Sequence, residues 1–87
     1  MKEIFAELGK YLRDKRKLKG MSQSDVAKKL GYSNPQFISN FERGLCAPPL
    51  KKLKILIGLY DLPKKELMKL MLDLQERHLK KQLFDEE

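Results

Sequence analysis

Tryptophan is missing from the 87 residues, and cysteine and histidine occur once each. A single cysteine excludes a disulfide framework and any multi-thiolate metal site, and a single histidine argues against histidine-rich metal chemistry. Five glycines and four prolines are too few for a collagen-like or linker chain. Apolar runs stop at three residues, as at Ile55–Ile57, far short of the roughly 20 that a membrane span needs. The N-terminal residues also lack the apolar stretch of a secretory signal. No nucleophile–base pair, Gly-rich phosphate loop or carboxylate pair stands out, so neither an enzyme nor a cofactor is expected. The default that remains is a protein of the reducing cytoplasm.

Hydrophobic residues make up 41% of the chain and charged residues 36%, the balance of a folded domain with a charged coat rather than of disorder. The length suits one small domain that buries only about 60% of its unfolded surface, so burial against a partner would help it. The net charge of +7 is unevenly divided. Residues 1–54 carry 13 Lys and Arg against 5 Asp and Glu, a net +8, whereas residues 55–87 carry 6 against 7, a net −1. A localised basic excess is the footprint of a polyanion partner, most often nucleic acid. A merely soluble lysine-rich surface is the plainer alternative.

Apolar residues recur at spacings of three and four throughout, with no alternating segment, which predicts an all-α fold of five helices. The first runs from Lys2 or Glu3 to about Lys19, with Phe5, Leu8 and Leu12 inward and Gly20 as its stop. Ser22-Gln23-Ser24-Asp25 resembles a capping box and opens a second helix that ends at Leu30-Gly31. Asn34-Pro35 starts a short third helix, which Gly44 closes. After Pro48-Pro49, Leu50, Leu53, Ile57 and Tyr60 form the core stripe of a fourth helix. Asp61 or Leu62 caps a fifth, from about Pro63 to Gln82, and the acidic end Asp85-Glu86-Glu87 is expected to fray.

The third helix carries the most information. With about 100° per residue and Pro35 at the origin, Ile38 falls at about 300° and Phe41 at about 240°, on one face. On the other face Ser39 falls at about 40°, Arg43 at about 80°, Gln36 at about 100° and Asn40 at about 140°. Amide, hydroxyl and guanidinium groups are the side chains that hydrogen-bond base edges in a major groove. An ordinary solvated face is the alternative. Phe37, at about 200°, borders the core: packing and contact with a thymine methyl are both open to it.

The stretch from Ser22 to Gly44, with its "SQ…A..LG" and "IS.FERG" elements, resembles the helix-turn-helix of the Xre/Cro family of lambda-repressor-like regulators. The resemblance extends back through Leu8–Gly20 and forward through Pro49–Leu62, covering about residues 4–70. One departure is visible: Leu30 to Ile38 takes eight steps where the commonest family pattern takes seven. The first reading position therefore falls on Ser33, Asn34 or Pro35, and Pro35 has no N–H to offer.

The resemblance implies roles for particular residues. Gln36, Ser39, Asn40 and Asn34 would read bases. Gln23 at the start of the second helix, Arg43, and Lys51 and Lys52 near the start of the fourth would hold backbone phosphates, although solvated lysines explain the last two equally well. Arg16 and Glu42 would form an internal ion pair that orients the third helix; Glu42, at about 340°, lies at the edge of the apolar face.

In the last helix Leu70, Met71 and Leu74 form one stripe, and Leu72, Leu79, Leu83 and Phe84 a second. Two stripes exceed what packing on one small domain requires, and the surplus suggests a homodimer, although a helix folded back on its own domain would also use it. Residues 1–70 are thus expected to be the DNA-binding domain and 71–87 a dimerisation element. The expectation is a homodimeric, cytoplasmic, nucleoid-associated regulator of double-stranded DNA on a near-palindromic operator, without membrane or small-molecule partners. A module of the same fold that grips a different protein, as an antitoxin does, is the alternative.

Overall fold

The computed structural model describes the backbone of residues 2–84 and the side chains of residues 5–84; Asp85–Glu87 and their expected fraying lie outside the described residues. Five helices follow one another: α1 (Lys2–Leu18), α2 (Gln23–Leu30), α3 (Gln36–Glu42), α4 (Leu50–Leu59) and α5 (Lys64–Phe84). No strand occurs among the described residues, so the fold is all-α.

The helices stop where the backbone can close on itself. After α2, the N–H of Gly31 donates to the Lys28 carbonyl at 3.2 Å and that of Tyr32 to the Ala27 carbonyl at 2.9 Å. This paired closure needs a left-handed residue, and Gly31 supplies φ 82° without strain. The same pair of bonds ends α3, through Gly44 to Phe41 and Leu45 to Asn40. At the end of α4, Asp61 takes the left-handed place at φ 52°, and its carboxylate pairs with Lys19. The sequence offered Asp61 or Leu62 as the cap of α5; the structure uses Asp61 to close α4. At the head of α2 the capping box is complete, with Ser22 Oγ accepting from Asp25 N–H and the Asp25 carboxylate accepting from Ser22 N–H, both at 3.0 Å. The shorter Asp reaches as well as Glu would, and these bonds hold its carboxyl below the usual carboxylate range.

All five helices contribute to one core. Leu8 and Leu12 of α1 meet Val26, Ala27 and Leu30 of α2, Ile38 and Phe41 of α3, and Leu53, Leu56 and Tyr60 of α4, with Leu62, Leu67 and Leu74 closing the far side. The stripe on α4 is displaced from the expected one: Leu56 is buried and Leu50 is 78% exposed. Leu50 lies about 100° round the helix from the mean direction of Leu56 and Tyr60, beyond the reach of the core.

The crossing of α1 over α3 is unusually close. A Cβ on Gly9 would lie 2.3 Å from the Phe41 carbonyl oxygen and 2.7 Å from that of Glu42. At the end of α3, a Cβ on Gly44 would lie 2.5 Å from the Cα of Ala6. A glycine inside a helix costs about 1 kcal/mol against alanine. Here it lets two backbones touch and fixes how α3 sits on the domain.

No break separates residues 70 and 71. The helix α5 runs through them, Leu74 belongs to the core, and Arg77 pairs with Glu7 of α1. Beyond that shared stretch the helix projects. The radius of gyration, 13.4 Å, exceeds the roughly 12 Å of a compact chain of this length.

Candidate nucleic-acid interface

Helix α3 lies on the core through Ile38 and Phe41, exposes Gln36 and Phe37, and leaves Ser39, Asn40 and Glu42 half-buried. Its first amide is satisfied from outside the helix: the Gln36 N–H donates to Asn34 Oδ1 at 2.9 Å. Pro35 has no side-chain hydrogen-bonding group, so the cap falls to Asn34. Its carboxamide oxygen is committed there, which leaves its NH2 group for other partners.

Along the exposed face runs a hydrogen-bonded row. Asn40 Oδ1 accepts from Gln36 Nε2 at 2.9 Å and from Arg43 Nη2 at 2.9 Å. The row leaves Gln36 its carbonyl oxygen and one N–H, the donor–acceptor pair that matches the major-groove edge of adenine. Asn40 keeps its NH2 group, and Arg43 keeps most of its fork. Ser39, half-buried, stands beside the row.

On the other side of α3 a second polar cluster is closed. Arg16 Nε and Nη2 donate to the two oxygens of Glu42 at 2.7 and 3.0 Å, and Arg16 Nη1 donates to the Met21 carbonyl at 2.8 Å. Gln23 Nε2 adds a third bond to Glu42, at 3.0 Å. The two ionic side chains are 10% and 4% exposed. Hydrogen bonding to Glu42 holds the Arg16 guanidinium firmly in its charged form, while burial and then the Glu42 charge push the Tyr60 hydroxyl up. The bond from Gln23 ties the start of α2 to the end of α3.

Arg13, Gln23, Ser39 and Arg43 line a polar depression with the Arg16–Glu42 pair in its wall. Sequence reading gave Arg13 no role. The available signal was its place one turn before Arg16 on the same face of α1. The depression brings the side chains of α1, α2 and α3 together on the side that bears the exposed row.

The two lysines of α4 differ. Lys51 is exposed. Lys52 Nζ donates to the Leu30 carbonyl at the end of α2, at 2.6 Å, and lies 5.1 Å from the centre of the Tyr32 ring. That cation is engaged in closing the α2 end.

On α5, Leu72, Leu79, Leu83 and Phe84 are all 49–68% exposed, as is Met68 at 59%. Leu67 and Leu74 are buried. They point about 140° and about 160° away from the line through Leu72, Leu79 and Leu83. One helix thus carries an inward stripe and an outward one.

Among proteins of known kind, a helix-turn-helix family matches residues 12–67. The match spans the C-terminal part of α1 from Leu12, the whole of α2, α3 and α4, and the first turn of α5. No curated protein and no solved structure matches the chain.

Proposed function

As a member of the lambda-repressor-like helix-turn-helix family, the chain is a DNA-binding regulator, and we propose that it binds double-stranded DNA sequence-specifically as a homodimer on a near-palindromic operator. The observation that carries this reading is the exposed Gln36–Asn40–Arg43 row on the face of α3 opposite Ile38 and Phe41. Each protomer inserts α3 into a major groove, and the two grooves lie roughly one helical turn apart. Gln36 reads adenine, Asn40 and Ser39 extend the reading surface, and Asn34 offers its NH2 group at the edge. Arg43, Gln23 and Lys51 hold backbone phosphates, and Arg13 joins them across the depression. Lys52 braces the turn instead of reaching outward.

Residues 1–70 serve as the reading head and 71–87 as the dimerisation element, with Leu74 and Arg77 anchoring the second to the first. A two-fold axis lets one outward stripe cover its own copy, and linked heads gain effective concentration on paired half-sites. The same stripe supports a second reading, in which α5 grips a different protein and DNA binding is secondary. Selection of bound sequences from a random DNA pool, followed by sedimentation of the full chain, tests the proposal. We expect an operator with inverted half-sites and a dimer that Leu79→Glu with Leu83→Glu dissociates. A pool without sequence enrichment refutes DNA readout, and a full chain that sediments as a monomer refutes the dimer.

A further inference from the structure

Phe37 is the residue of α3 that neither the core nor the polar row accounts for. It is 50% exposed although Ile38 and Phe41 already seat the helix on the domain. Its ring is nonetheless held in place. It stacks on Tyr32 with centroids 4.7 Å apart and planes at 24°. Phe41, which is buried, stands 6.5 Å from Phe37 and 6.3 Å from Tyr32. The Lys52 ammonium, 5.1 Å from the centre of the Tyr32 ring, is a further hold on that partner. Three rings therefore run from the core to the surface, and the outermost is fixed on one side and open on the other.

Phe37 immediately follows Gln36 and lies about 60° round the helix from Asn40. Whatever base edges the polar row meets, the ring lies beside them. Base edges in the major groove present one apolar group, the C5-methyl of thymine. A ring already fixed by stacking gives up little rotamer freedom on contact, so the gain is not offset by ordering.

We infer that Phe37 is a specificity-determining residue that contacts a thymine methyl in each half-site, with Tyr32 as the positioning residue that holds its ring. The inference rests on the DNA-binding reading above and adds to it a particular base and a particular atom.

The test uses the full chain and its selected operator. Each thymine is replaced in turn by deoxyuridine, which removes only the methyl group, and affinity is measured for the wild type and for Phe37→Ala. In the wild type we expect one symmetric pair of thymines at which deoxyuridine weakens binding by about fourfold per half-site, the worth of one buried methyl-sized group. Phe37→Ala should bind the two forms equally while keeping its affinity for random DNA and its helical circular dichroism. Tyr32→Phe keeps the stack and should retain the methyl effect; Tyr32→Ala should reduce it. An operator with no methyl-sensitive thymine overturns the inference without any variant. So does a methyl effect that persists undiminished in Phe37→Ala. A pool without sequence enrichment overturns the DNA-binding reading and this inference together, whereas an enriched operator without the methyl effect overturns this inference alone.

Discussion

Helix α3 carries two hydrogen-bonded clusters made from the same kinds of side chain, an amide and an arginine around a shared acceptor. On one side Glu42 accepts from Arg16 and Gln23; on the other Asn40 accepts from Gln36 and Arg43. Burial separates them. The Arg16 and Glu42 side chains are nearly inaccessible and both Glu42 oxygens have their donors, so that ion pair is spent on the fold, and of this cluster only half-buried Gln23 keeps an N–H within reach of a ligand. Gln36 and Arg43 are exposed, and each retains unused donors or acceptors that point outward. The closed cluster fixes where the helix stands, and the open one presents what it can read. Residue type alone does not separate the two clusters; the burial of their hydrogen-bonding groups does.

That division predicts which property each substitution moves. The largest effect belongs to Glu42→Ala, which leaves the Arg16 guanidinium partly buried without its carboxylate. Breaking one half of such a pair costs about 3–5 kcal/mol, and urea unfolding should show the midpoint fall accordingly. Gly9→Ala comes next. Its methyl would press on the backbone carbonyls of Phe41 and Glu42 at 2.3 and 2.7 Å, where no side chain can swing aside. Overpacking of this kind costs about 1–3 kcal/mol, although alanine is otherwise the better helix former. Thermal unfolding of that variant should show a lower midpoint; an unchanged or higher one would mean that the helices part without cost. The smallest effect is that of Arg43→Ala on the open cluster. It should leave the unfolding midpoint unchanged, weaken operator and random DNA alike, and reduce the slope of log affinity against log salt by about 0.9.

Much of this was legible in the sequence because local signals did the work. Gly31 and Gly44 mark helix ends by a backbone angle that other residues adopt at a cost, and Ser22 with Asp25 marks a helix start by its own hydrogen bonds. What was not legible depends on contacts between segments distant in the chain. Gly9 looks like a weakness in α1 until α3 is laid across it. Lys52 reads as a surface cation until the Leu30 carbonyl meets it. Leu50 and Leu56 are equally apolar at neighbouring turns, and only the direction of the core chooses Leu56. Arg13 gave no signal beyond its spacing from Arg16, since its part in the depression depends on side chains contributed by α2 and α3.

On the proposed function, the open cluster reads sequence and does not hold the fold. Asn40→Ala tests it most directly, because Asn40 is the acceptor at the middle of the row. The measurement is the ratio of affinities for the selected operator and for random DNA, taken at one salt concentration and alongside the unfolding midpoint. Operator affinity should fall by about 1–3 kcal/mol while random-DNA affinity and the midpoint stay put. Equal losses on both DNAs, or a midpoint that falls with the affinity, would contradict it.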